Sequence, residues 1–317
     1  MGLTRFAKYA WGVLGYNLLV ILWGAYVRAS GSGAGCGSHW PLCNGQVIPL
    51  SPPIETMVEF THRLSSGLSL LLVAGLVVWA FRLYPATHPA RKAALASGVL
   101  IITEALIGAG LVLFKLVGAD ESLARAFSIS LHLVNTFLLL ASLTLTAWWS
   151  SGGPFLRLIG QGSSLALLGL GALAVLLIGV SGALTALGDT LFPVNSVSEG
   201  LRQDFSATAH FLLRLRLLHP SLAVASSAYL LVLVGLLNSR NSSQTSLQLG
   251  RLLSVIIAAQ VLAGFINVFL LAPTWMQLVH LLLADSLWIT FVLFSVTRLS
   301  GEKQPEPLPL VASKQFR

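Results

Sequence analysis

Eight stretches of near-continuous apolar sequence limit what this chain can become before any motif is considered. They lie near 10–27, 62–81, 93–114, 126–148, 163–187, 209–237, 252–272 and 278–297. At about 1.5 Å of rise per residue, each is long enough to carry a helix across a hydrocarbon layer of roughly 30 Å. Inside that layer a backbone has no water to bond to, so it must satisfy itself, and the helix is the form that does so within one segment. With 55% hydrophobic and only 9% charged residues in 317, a soluble globule is excluded. The predicted fold is an all-α integral membrane protein with eight transmembrane helices.

The formal charge of +8 would suit a nucleic-acid partner, but its distribution argues for a membrane instead. With the N-terminus in the cytoplasm, Arg5, Lys8, Arg82, Arg91, Lys92, Arg157, Arg240, Arg251, Arg298, Lys303, Lys314 and Arg317 fall on the inner side, twelve of the nineteen Lys and Arg. That bias predicts both termini cytoplasmic, a lipid bilayer as the surroundings and no nucleic-acid partner. Arg5, Lys8 and the apolar run after them resemble a signal peptide, with Ala29-Ser30-Gly31 as its cleavage region. The run exceeds the usual length of roughly 7–15 residues and ends in Arg28, which predicts an uncleaved first helix.

The second half of the chain echoes the first. The exit of the first segment through Gly24-Ala25 returns at the end of the fifth as Gly179-Val180-Ser181-Gly182, Glu104 to Gly108 aligns with Gln260 to Gly264, and His132-Leu133 aligns with His280-Leu281. Four spans bring a chain back to the side it started from. Segments 1–4 and 5–8 therefore read as a tandem, parallel-topology repeat. The predicted architecture is two pseudo-symmetric four-helix bundles, at 1–150 and 151–300, followed by a cytoplasmic tail at 301–317.

His62, His132, His219 and His280 then fall near the outer ends of the even-numbered segments. A single buried histidine is ordinarily a hydrogen-bonded core residue; four at equivalent positions argue for ligands. Facing imidazoles across a bundle suit the two axial positions of a haem iron, so His62 pairs with His132 and His219 with His280. Zinc fits less well, because third and fourth ligands are missing. His210 precedes His219 by nine residues, about 900° of helix rotation, and so points the other way. His219 matches His62 better in the repeat. His88, in an inner loop, reads as solvated. Arg63, Arg214 and Arg216 at the outer boundary are candidates to pair with haem propionates, with snorkelling to headgroups as the ordinary alternative.

Glu59 and His62 lie three residues apart, about 300° on a helix, and so share a face that can address one ligand. The position corresponding to Glu59 in the second half is Arg216, and Glu104 is replaced by Gln260. Acid/base chemistry is therefore expected at the first site, with Glu59 as its catalytic carboxylate; a helix-start carboxylate favoured by the macrodipole is the plain alternative. Glu104 in mid-membrane must be protonated, paired or facing a polar cavity, and its role is left open. Cys36 and Cys43 occupy a glycine-rich loop that this topology puts outside the cytoplasm, where a disulfide persists. A staple and a redox-active pair remain equally open.

Three runs together carry a resemblance: Gly31-Ser32-Gly33-Ala34-Gly35-Cys36 through Trp40-Pro41-Leu42-Cys43, Glu59-Phe60-Thr61-His62-Arg63, and Leu278-Val279-His280-Leu281-Leu282-Leu283-Ala284. In them the chain resembles the haem A synthase family of cytochrome oxidase biogenesis, over essentially all eight segments. The resemblance implies an oxidoreductase that turns the C8 methyl of haem O into the formyl group of haem A by way of an alcohol. It places haem O between His62 and His132, gives Glu59 the proton handling, and puts an electron-passing haem b between His219 and His280. It further implies a plasma-membrane location with the cysteine loop outward, and haem O synthase and cytochrome oxidase assembly factors as partners; homo-oligomerisation is left open. The absence of cysteines from the second outer loop departs from members with a pair in each half. Two other readings stand beside it: a di-haem b-type cytochrome in quinol-linked electron transfer, and a transporter, which the parallel repeat and Glu104 permit.

Overall fold

The computed structural model describes residues 2–239 and 243–300. Arg240 and the expected tail 301–317, with Lys303, Lys314 and Arg317, lie outside the described residues. Among the described residues the protein is all-helical: α1 (Arg5–Ala29), α2 (Ile54–Leu83), α3 (Pro89–Leu113), α4 (Leu123–Ser150), α5 (Ser163–Leu191), α6 (Val197–Asp204), α7 (Phe211–Asn238), α8 (Gln244–Phe269) and α9 (Thr274–Arg298). All but α6 are long and apolar enough to cross a membrane.

The helix starts follow local chemistry. Thr4, Ser122 and Ser243 accept backbone N–H groups at the starts of α1, α4 and α8, supplying the bonds a first turn lacks. Pro53 and Pro273 precede α2 and α9, where a missing N–H costs nothing. α2 begins at Ile54, well before the apolar run, and its 30 residues span roughly 45 Å. The surplus turns carry Glu59 up to the loop that contains the cysteines.

Two placements differ from the sequence reading. The fifth segment, expected near 163–187, continues as α5 to Leu191, so that Asp189 belongs to its last turn. The loop after it contains α6, announced by the capping-box sequence Ser196-Val197-Ser198-Glu199: Ser196 Oγ accepts from Glu199 N at 3.2 Å, and Glu199 Oε2 accepts from Asn195 N at 3.0 Å. His88 is more than a solvated loop residue. Its Nδ1 accepts from Ala90 N at 3.2 Å and caps α3, and its ring stacks on Tyr84 with centroids 4.2 Å apart.

Helices α1 to α4 pack each on the next, with α1 also against α4; α5, α7, α8 and α9 do the same, with α5 also against α9. Contacts between the two groups run through α1, α4, α5 and α9. Accordingly α4 and α9 are the most deeply buried of the spans and form the centre of the molecule. Trp288 Nε1 on α9 donates to Phe137 O on α4 at 2.6 Å, with the two rings stacked. At the loop end of α1, Arg28 donates to Ala186 O at 2.6 Å, Thr190 Oγ1 at 3.1 Å and Gln277 Oε1 at 3.1 Å, tying α1 to both α5 and α9.

Candidate functional site: two facing histidine pairs

Each of the four histidines lies against a glycine of a neighbouring helix. A Cβ on Gly24 of α1 would stand 2.9 Å from Cε1 of His62, and one on Gly182 of α5 would stand 3.1 Å from Cε1 of His219. On Gly264 of α8 and Gly108 of α3 the distances to Cε1 of His280 and His132 would be 3.3 and 4.0 Å. Small residues let helices approach closely in lipid, and here the space they leave is filled by imidazole. His62 and His132 lie within electrostatic range of each other, as do His219 and His280. His62 thus has His132 as its neighbouring imidazole, and His219 has His280.

The rings are only half-buried, yet Nδ1 of His62, His132 and His280 is sealed from solvent and without a hydrogen-bond partner. The accessible part of each ring is therefore another edge. Neighbouring rings, each half-buried with Nδ1 turned inward on three of the four, suit a haem held through the opposite nitrogens. Among the described residues no group of three or more His, Cys, Asp or Glu converges as a bare metal ion would need. A porphyrin brings its own four equatorial donors, so two imidazoles suffice for it.

Beyond the rings the two sites diverge. His219 Nδ1 meets Ser181 Oγ at 2.9 Å, and Gln260 Nε2 stands 3.3 Å from His280 Nε2. In the first half Glu104 is paired, one of the options the sequence left open. Asn135 Nδ2 donates to its Oε2 at 2.5 Å, Thr136 Oγ1 donates to Oε1, and His132 Nδ1 lies 3.4 Å from Oε1. That last contact is within ion-pair range but not aligned as a hydrogen bond.

Glu59 is almost fully buried, and both its oxygens are engaged. Oε2 accepts from Cys36 N at 2.8 Å; Oε1 accepts from Arg63 Nε at 3.1 Å and Nη2 at 2.5 Å. Arg63 in turn donates to His39 O and Leu42 O, each at 2.6 Å. Cys36 and Cys43 are joined by a disulfide within this same loop. Glu59 and His62 therefore leave one stretch of α2 toward different partners, the carboxylate to the loop and the ring to Gly24. Arg216, at the matching position, performs the same task with opposite charge: it binds Asp189 on α5 at 2.9 Å and Asp204 at the end of α6.

Of the propionate candidates, Arg63 and Arg216 thus direct donors to protein acceptors, while Arg214 is exposed and donates to Ala207 O at 2.8 Å. His210 sits apart from the pairs: it caps α7 through Leu212 N and lies 3.9 Å from Glu121. The sequence reading missed the facing glycines, Ser181, and the Asn135–Thr136 cradle. A signal existed for the glycines, since each occurs in the small-residue runs that repeat between the halves.

Against known proteins, the chain matches over residues 7–292 the family COX15-CtaA, described as Cytochrome oxidase assembly protein. It is 51% identical over 304 residues to a protein of Thermus thermophilus named Protoheme IX farnesyltransferase, a match covering 96% of this chain and 50% of that protein. The chain therefore spans about half the length of that relative. It is 48% identical over 97 residues to Heme A synthase of Shouchella clausii, covering 31% of this chain and 32% of that one. With Heme A synthase of Bacillus mycoides it shares 37% over 142 residues, 44% of this chain and 45% of the other. A match running from α1 to within α9 leaves no span outside it, and the chain is a multi-pass membrane protein belonging to the COX15-CtaA cytochrome oxidase assembly family.

Proposed function

We propose that this protein is a haem A synthase, oxidising the C8 methyl of haem O to the formyl group of haem A. The observation that carries the reading is the set of four imidazoles in two pairs, each ring against a helical glycine, in a chain similar to proteins named Heme A synthase. His62 and His132 hold the substrate haem O in the half at 1–150, and His219 and His280 hold a cofactor haem b in the half at 151–300. Bound there, haem b supplies one-electron transfer, and iron is the metal at both sites. The two halves arise by duplication, with both termini cytoplasmic and the disulfide loop outward.

The chain's own residues divide the remaining work. The facing glycines fix the rings, and Glu59 and Arg63 strap the disulfide loop to the same end of α2 that carries His62. Glu59, buried and hydrogen-bonded, is the carboxylate for proton handling at that site. Arg214 is the propionate partner whose guanidinium is least committed to the protein. A supplier of haem O is the natural partner, since the aligned half of the Thermus relative belongs to a protein named for farnesyl transfer to protohaem.

The test is the pigment of the purified protein, followed by turnover. Haem O and haem A alongside haem B support the synthase. Haem B alone, with no conversion of added haem O, supports an electron-transferring cytochrome. Formation of haem O from haem B and farnesyl diphosphate would move the activity to prenyl transfer. Glu59→Gln, which keeps an acceptor for Cys36 N, should retain bound haem and lose haem A formation; His280→Ala should lose the haem of the second half.

A further inference from the structure

An ionisable group in the middle of a span is costly, and Glu104 is held there by an arrangement more elaborate than neutralisation needs. Its two partners, Asn135 and Thr136, stand three and four residues after His132 on the same helix, so the carboxylate is fixed to the helix that carries the imidazole. Asn135 is itself pinned from α3: its Oδ1 accepts from Thr103 Oγ1 at 2.6 Å and its Nδ2 donates to Leu100 O at 2.9 Å. With Asn135 on Oε2 and Thr136 on Oε1, the carboxylate is held so that Oε1 lies 3.4 Å from Nδ1 of His132, a nitrogen with no hydrogen-bond partner.

The other three rings are treated differently. Nδ1 of His62 and of His280 has no partner, and Nδ1 of His219 meets only the neutral hydroxyl of Ser181. Among the described residues, then, one imidazole of the four is backed by a carboxylate.

Taking the haem reading above as its basis, we propose that Glu104 is a positioning residue of the first site. It takes the Nδ1 proton of His132 as a hydrogen bond, fixes the tautomer that leaves the Nε2 lone pair for iron, and makes His132 the more firmly held and more electron-donating of the site's two ligands. At 3.4 Å, a small rotation of the ring would bring Nδ1 into hydrogen-bond distance of Oε1. A carboxylate behind a ligating imidazole orients it and raises its basicity, and loss of such a partner typically costs about 10–100-fold in affinity. The aligned amide, Gln260, approaches the opposite nitrogen of its ring, so the device belongs to the first half alone.

The experiment uses the protein carrying His280→Ala, so that only the first-site haem is present. Haem loss to excess apomyoglobin and an optical redox titration are recorded for this background and for two variants. Glu104→Ala should release haem about 10–100-fold faster. Glu104→Gln, which keeps an acceptor but removes the charge, should keep its haem while its midpoint potential moves upward. Unchanged release and unchanged potential in these variants would overturn the proposal. Should Glu104→Ala fail to fold, the potential of Glu104→Gln decides alone. His132→Ala separates the two levels of argument: if it leaves the first-site spectrum intact, the haem assignment fails; if it abolishes that spectrum while the Glu104 variants behave as the background, this inference alone fails.

Discussion

Alanine at Gly24 tests whether the facing glycines hold the histidines in place. The added Cβ would stand 2.9 Å from Cε1, 3.1 Å from Nε2 and 3.7 Å from Nδ1 of His62. Carbon atoms pack without repulsion at about 3.5–4.0 Å, so the ring must retreat by roughly 0.6 Å or more, or α1 and α2 must part. Overpacking of this kind costs about 1–3 kcal/mol, which corresponds to roughly 5- to 150-fold in the population of the correctly placed ring. The same construction at Gly182, Gly264 and Gly108 gives 3.1, 3.3 and 4.0 Å, which sets an order: Gly24→Ala worst, then Gly182→Ala, then Gly264→Ala, with Gly108→Ala at ordinary contact distance. Gly67 on α2 has nothing within 4 Å of its Cβ position, so Gly67→Ala serves as the control and should be neutral or stabilising. The assay is haem bound per protein together with the midpoint of thermal unfolding in detergent. Gly108→Ala matching Gly24→Ala in either measurement, or Gly24→Ala matching Gly67→Ala in both, would refute the steric argument.

Three further outcomes follow from the geometry. Arg28→Ala removes charge-assisted bonds to α5 and α9 and should lower unfolding stability by on the order of 3 kcal/mol in a denaturant titration. Arg28→Lys should not restore it, since one ammonium cannot span acceptors on two helices. Burial lowers the pKa of His88, in keeping with its Nδ1 accepting from Ala90 N and so having to be neutral. Its capping contribution is therefore present above the ordinary histidine value of about 6.5 and is lost as pH falls through the lowered folded value; the difference in melting temperature between wild type and His88→Asn should shrink over that range, and a pH-independent difference would refute the cap. Cys36 and Cys43 should resist thiol blocking before reduction and react after it, and Cys36→Ser with Cys43→Ser should cost about 2–3 kcal/mol for a closed loop of this size.

How much of this was legible in the sequence depends on the range of the interaction concerned. Spans can be read from composition because the bilayer acts on each segment alone: a run of apolar residues is committed to a helix whatever its neighbours are. For the same reason the helix starts follow from Thr4, Ser122 and Ser243, and α6 was readable in its Ser196–Glu199 box although the sequence analysis passed over it. That the four histidines each lie on a different apolar segment was likewise visible, because the segments themselves are read from composition. Partner choice was not. The spacing of Glu59 and His62 put both on one face of α2, but only tertiary packing sent the carboxylate to Cys36 N and Arg63 and the ring to Gly24. Arg63 and Arg216 read as propionate partners or snorkelling cations at a membrane boundary, and only the packed structure shows Glu59 and the loop carbonyls on the first and two aspartates on the second. Glu104 could be recognised as an expensive group in need of a partner, while the partner's identity waited on how α3 turns against α4. Depth in the membrane is a property of each segment, set by its own residues, whereas rotation about the helix axis is set by the side chains of the neighbours, and it is rotation that decides which groups meet.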